Sequence, residues 1–301
     1  MKRLLSDLVK ANLTLCILMC ATWTFAQSTP DASCSFQPLD VPGAFSSSGG
    51  GINDFGAVVG GFSPDLRSGR ASGFLLFRGK YTTFNFPGSP TTSGNDINDL
   101  GEIVGTYFDA SSEHGFILRG TEFRALDVEG AVNGTQALGL NNLGAIVGGF
   151  VDASGDEKGF LRQRNGDVAT LIFPGAVVTE ANGINDRGNI VGTYRQARFG
   201  TPIHGFVFMD GEFTTLDFPG ARDTFPSRIN DRKVVVGTYD ASDGEHGFSW
   251  ANGKFTTINE PDGPSQTFIN GLNNLNQITG GFANSSIFGA KAFTASCRDL
   301  F

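Results

Sequence analysis

Apolar and polar positions alternate along this chain in short bursts separated by turn residues, and the bursts recur with one period. Residues 205–240 show a single copy. Gly205-Phe206-Val207-Phe208-Met209 is a short apolar strand, and Asp210-Gly211 is a two-residue hairpin turn. Residues 212–218 alternate and are rich in β-formers, the pattern of a half-buried strand. Pro219-Gly220 stops that strand with the chemistry of a type II turn, Pro fixing φ and Gly supplying φ > 0. A variable loop leads to a third strand ending at Ile229-Asn230, a tight turn follows, and residues 234–239 form the fourth.

This phrase is written six times. Its anchor Asn falls at Asn53, Asn98, Asn141, Asn185, Asn230 and Asn273, 43–45 residues apart. Four short strands per period of this length is the signature of a propeller blade, and six blades make a ring. A Gly in the fourth strand (60, 105, 148, 192, 237, 280) implies close backbone approach. The turn after each anchor uses Gly56, Gly101, Gly144 and Gly188, but Lys233 and Asn276 in the last two copies. Lys fits a left-handed turn badly, so the fifth turn is expected to be looser or of another type.

The ends of the array are complementary. Residues 34–44 match the second strand of a repeat and residues 291–297 match the first. An open solenoid needs capped ends, whereas two half-blades that pair hide both edges. The expected fold is therefore all-β: a six-bladed β-propeller of four-stranded blades over residues 34–301, closed by pairing of its N- and C-terminal strands. Aligned on the repeat, Cys297 and Cys34 occupy the positions of the turn residues Asp210 and Gly211. A disulfide there would replace the missing peptide link, with Cα atoms about 4.4–6.8 Å apart.

Composition adds an address. Met1-Lys2-Arg3, an apolar run over residues 11–23 and Thr24-Phe25-Ala26 read as a signal peptide over residues 1–26, followed by a short linker over 27–33. Cys16 and Cys20 leave with it, and the remaining chain belongs to a disulfide-permitting compartment, extracellular or periplasmic. The net charge of −8 becomes more negative once Lys2, Arg3 and Lys10 are lost. An acidic chain without a basic patch is a poor partner for nucleic acid, and no later stretch is apolar enough for membrane insertion. A monomer is expected.

Candidate chemistry is sparse. No His-Glu-x-x-His, Gly-x-Ser-x-Gly, Walker loop or Cys-x-x-Cys occurs. Three loops after the fourth strand are acidic, at Asp109–Glu113, Asp152–Glu157 and Asp240–Glu245. They read as solvated turns held by Asx bonds, with Ca²⁺ the one cofactor that such oxygen-rich loops suggest. A hydroxyl stands six residues before each anchor (Ser47, Thr92, Thr135, Thr179, Thr224, Thr267), either as a polar ring around the channel that grips a sugar or an ion, or as an intra-blade hydrogen-bond staple that fixes each turn. His114, His204 and His246 share one slot before Gly-Phe, and the same three repeats carry Tyr107, Tyr194 and Tyr239 in the preceding strand. A cross-strand Tyr–His hydrogen bond is the structural reading; a polar, ligand-facing set is the functional one.

At Gly-Phe-x-x-x-x-Gly-x-Phe-Thr-Thr and Ile-Asn-x-x-Gly-x-Ile-Val-Gly the chain resembles the bacterial extracellular repeats of the HAF family, over about residues 34–297. It departs from their His-Ala-Phe signature, having His-Gly-Phe three times and Lys-Ala-Phe once. The resemblance implies export and a β-repeat fold, and it brings no catalytic residues. The leading expectation is a secreted, non-catalytic binding or scaffolding propeller with a carbohydrate or protein ligand, such as envelope or extracellular polysaccharide. The alternative is a polysaccharide hydrolase or lyase using channel-face carboxylates.

Overall fold

The computed structural model describes residues 33–263, 266–283, 289–298 and 300. The expected leader, residues 1–26, lies outside them. The described strands form six antiparallel sheets of four, a six-bladed β-propeller. The chain enters with β1 (Cys34–Pro38). Blade 1 is β2 (Ser46–Ile52), β3 (Val58–Ser63), β4 (Ser72–Phe77) and β5 (Lys80–Phe84). Blade 2 is β6 (Thr91–Ile97), β7 (Glu102–Phe108), β8 (Glu113–Arg119) and β9 (Glu122–Leu126). Blade 3 is β10 (Thr135–Leu140), β11 (Ile146–Val151), β12 (Glu157–Arg162) and β13 (Val168–Leu171). Blade 4 is β14 (Val178–Ile184), β15 (Ile190–Arg195), β16 (His204–Met209) and β17 (Glu212–Thr215). Blade 5 is β18 (Asp223–Ile229), β19 (Val235–Ala241), β20 (Gly244–Ala251) and β21 (Lys254–Ile258). Blade 6 takes β22 (Thr267–Leu272), β23 (Gln277–Phe282) and β24 (Lys291–Cys297) from the C-terminal end and borrows β1 as its outer strand.

The strand that ends beside the anchor Asn is innermost in every blade, and these six strands touch in sequence around one axis. Between blades the core is made by the Phe of each third strand: Phe74, Phe116, Phe160, Phe206, Phe248 and Phe293 are at most 1% exposed. Burying one such ring contributes about 1.5–3 kcal/mol. The recurrent Gly is what admits it. A Cβ on Gly192 would lie 2.0 Å from the Glu180 carbonyl oxygen and 2.8 Å from the Phe206 ring.

Closure follows the expected register. Ser35 faces Ser296 and Cys34 faces Cys297, and the two sulfurs are bonded. Their Cα atoms are 4.1 Å apart, slightly shorter than the expected range. The fifth turn departs from expectation: Lys233 adopts φ +62° and Asn276 +59°, in the same turn as their Gly counterparts. Asn230 Oδ1 accepts from the N–H groups of Arg232 and Val234, and the Lys233 N–H reaches the Asn230 carbonyl. The anchor amide overrides the local preference.

Candidate functional site

One end of the axis is sealed by two closed circuits of hydrogen bonds. Each anchor Asn donates Nδ2 to the anchor carbonyl of the next blade, from Asn53 to Asn98 and on through Asn273 back to Asn53, at 2.9–3.3 Å. The following residue accepts from its neighbour in the same manner, so Asp54, Asp99, Asn142, Asp186, Asp231 and Asn274 form a second ring at 2.7–3.0 Å. Asn142 and Asn274 separate the four acids into two pairs, and Asn142 Nδ2 donates to both Asp99 and Asp186. The void left inside these rings is only about 60 Å³.

The waist of the channel is blocked. Four blades put Gly51, Gly139, Gly183 or Gly271 here, and the other two place Asp96 and Arg228 on opposite sides of the axis. Arg228 is 8% exposed, and its Nε lies 3.4 Å from Asp96 Oδ2. Its terminal nitrogens donate to the carbonyls of Asn95, Leu138, Asn182 and Ser227, drawing four blades together. Each carbonyl belongs to the residue bulged out between the ladder pairs of its innermost strand, which turns it towards the axis. Burial pushes the Asp96 carboxyl up, opposed by the Arg228 charge and the N–H groups of Leu140 and Ile97. The terminal nitrogens are thus engaged by carbonyls, while Nε faces Asp96 as an ion pair without a hydrogen bond.

Above this plug the channel widens into a funnel of about 650 Å³. Ser48, Ser93, Ser227, Asn95, Asn182 and Asn270 supply most of its polar lining, while Phe62 and Phe225 give it apolar faces. The three asparagines come from alternate blades and donate Nδ2 to Ala137, Pro226 and Gly49 of the blade ahead. What they present inward is an amide oxygen. Glu180 is the one carboxylate in the funnel wall among the described residues.

The residues singled out from sequence sit elsewhere. Tyr107–His114, Tyr194–His204 and Tyr239–His246 are cross-strand pairs, as expected. No Tyr–His hydrogen bond joins them, however: the rings stack at centroid distances of 5.1–5.3 Å. The Tyr194 and Tyr239 hydroxyls pair with Thr215 and Thr257, and the imidazole Nδ1 atoms contact Asp127, Asp217 and Asn259. On its other face each Tyr stacks at 3.6 Å on a Phe from the preceding blade, Phe86, Phe173 or Phe218. Repeats without the Tyr have Val41, Val128 or Glu260 at that Phe position. The three-and-three division therefore records a Phe–Tyr–His stack, a covariation visible in the sequence but not drawn from it. None of the six residues lines the funnel.

Blade 2 also aligns Ser112 Oγ, His114 Nε2 at 3.1 Å and Asp127 at 2.9 Å from Nδ1. This has the connectivity of a nucleophile, base and orienting acid. Asp109 Oδ2, though, lies 3.2 Å from the same Nε2. Burial lowers the imidazole pKa, but Asp127 and Asp109 outweigh it and hold the pKa above the ordinary value. With carboxylates facing both ring nitrogens, Nε2 is shared between Asp109 and Ser112 rather than aimed at the serine alone. The arrangement is a clip.

The remaining sequence candidates are also structural. The recurrent hydroxyl is a staple, but between blades rather than within one: Thr92, Thr135, Thr179, Thr224 and Thr267 each accept a backbone N–H from the preceding blade's exit turn, and Ser47 accepts from Ala292 of blade 6. The acidic loops are Asx turns around Asp109 and Asp152. Among the described residues no group of three or more His, Cys, Asp or Glu is arranged to hold a metal ion.

No family model matches the chain, and no curated protein does. Solved propellers match its shape. TolB from Acinetobacter baumannii superposes with a TM-score of 0.56 at 11% identity, over 82% of this chain and 65% of TolB, so the chain spans just under two thirds of that protein. A gluconolactonase from Xanthomonas campestris gives 0.51 at 10%, covering 90% and 97% of the two chains. The propeller domain of the Trilobed protease from Pyrococcus furiosus gives 0.52 at 10%, over 86% and 96%. These are likenesses of fold alone. The Pyrococcus domain is described as having an open velcro topology, whereas here β1 and a disulfide close the ring.

Proposed function

We propose that this chain is an exported, non-catalytic glycan-binding propeller whose funnel receives the sugar. The carrying observation is the funnel itself: a blind cavity of about 650 Å³ with serine hydroxyls and inward amide oxygens beside two Phe faces. Sugar hydroxyls need acceptors and donors at several angles, and sugar C–H faces pack on aromatic rings. The Cys34–Cys297 bond supports an oxidising compartment. Export and membership of the HAF repeats belong to this proposal.

A glycan array probed with the chain from residue 27 tests it, followed by calorimetry on any hit. Asn182→Ala and Ser93→Ala should each weaken binding roughly tenfold, the effect of losing about 1.4 kcal/mol of contact. Full affinity in both variants would place the ligand outside the funnel. Glu180 keeps a hydrolytic reading open, so products are analysed on the same hit; cleavage lost in Glu180→Gln would convert the module to an enzyme.

A further inference from the structure

Three acidic side chains from neighbouring blades lie close together: Glu180 on β14, which lines the funnel, and Glu157 on β12 and Glu113 on β8 beside it. Gln136 Nε2 donates to Glu113 at 2.7 Å. Glu157 and Glu180 have no hydrogen bond and no ion pair among the described residues. They are side by side, since a methyl group on Gly149 would lie 3.4 Å from Glu157 Oε1 and 3.6 Å from Glu180 Oε1. Glu180 is partly buried on β14 and lines the cavity. An unpartnered carboxylate in that position is costly unless it keeps a proton or meets a cation. Burial, then the charges of Glu157 and Glu113, push Glu180 up to about 8, with Arg195 on β15 opposing. Burial also raises Glu157.

The rim above the funnel carries both signs of charge. The loops between the second and third strands open on the funnel side; those of blades 2, 3 and 5 carry Asp109, Asp152, Asp156 and Asp243, while those of blades 1 and 4 carry Arg67, Arg70 and Arg198.

We infer that the funnel selects glycans bearing a protonated amine, and that the ammonium group of an amino sugar sits between Glu157 and Glu180. This rests on the glycan reading of the funnel. An ammonium brings three N–H donors, which Glu157, Glu180 and Gln136 Oε1 accept. It takes over the role of the proton on Glu180, which is released on binding.

The test compares two probes at pH 6, a β-1,4-linked tetramer of glucosamine and the same tetramer fully N-acetylated, by calorimetry with the disulfide-bonded chain. The amine form should bind at least tenfold more tightly. Repeating the titration in buffers of different ionisation enthalpy should show proton release. Glu180→Gln should erase most of the preference, read as the ratio of the two affinities, together with the proton release. Glu157→Gln should also erase the preference, and it serves if Glu180→Gln fails to fold. Equal binding of the two tetramers would overturn the amine assignment and leave the glycan reading intact, as would tighter binding of the acetylated tetramer or of a uronate oligomer. If neither tetramer binds and an array of neutral and amino sugars is silent, both readings fall.

Discussion

At Lys233 a side chain occupies φ +62°, where four of the six equivalent turns use Gly. A non-glycine residue in this region costs about 1–2 kcal/mol, while Gly loses more freedom on folding, about 0.4–1 kcal/mol. Lys233→Gly should therefore raise stability by roughly 0.5–1 kcal/mol, read as a shifted urea midpoint with an unchanged slope. A loss of stability would mean that the lysine makes a compensating contact. The sequence identified this position as anomalous but misjudged the outcome. Local propensity was legible there; the amide of Asn230 and its circuit through five other blades were not, because that support comes from residues 43–45 positions away.

Strands and turns were the most legible level. Pro-Gly, Asp-Gly and Asn-Asp are local signals, so the four strands of each repeat and the half-blades at either end could be read directly. The pairing of β1 with β24 followed from the alignment of the termini. Its disulfide encloses a sequence separation of 263 residues. In the chain-entropy model Cys297→Ser then costs up to about 5 kcal/mol, an upper figure because strand pairing still restrains the ends. A denaturation midpoint unmoved by the substitution, or by reduction, would show that the ladder alone closes the ring. The funnel chemistry was far less legible. Arg228 and Asp96 face each other across the axis, and the Glu113–Glu157–Glu180 group gathers single positions from three blades. Each breaks the repeat, and a periodic pattern gives no hint of which exceptions meet in space.

For the whole molecule, charge placement sets the pH response. Glu180 keeps its proton to about pH 8 when folded, against an ordinary value of 4.5, and His114 is also raised. For both groups the folded state binds the proton more tightly. Their contributions are complete below the unfolded pKa and are lost as pH rises through the folded one. Asp109, Asp156 and Asp243 are lowered by hydrogen bonds to Ser111, Arg198 and His246 respectively, so their contributions appear above the ordinary aspartate range and vanish in acid. Stability should therefore peak near pH 5 and decline towards pH 8–9. Thermal midpoints across that range check this, and Glu180→Gln should flatten the alkaline decline. A wild-type midpoint that climbs from pH 5 to 8 would remove the proton assigned to Glu180.

The borrowed strand has a consequence for biosynthesis. β1 is made first and its only ladder partner, β24, is made last. Until the ribosome passes residue 297, blade 6 lacks its third strand and Cys34 lacks its mate. A chain that stops before β24 thus leaves β1 and β23 without a ladder partner and Cys34 without its disulfide, whereas a chain that reaches Cys297 pairs all three. The thiol at position 34 is a built-in marker of completeness, readable by any oxidant or quality-control factor that acts on unpaired cysteines.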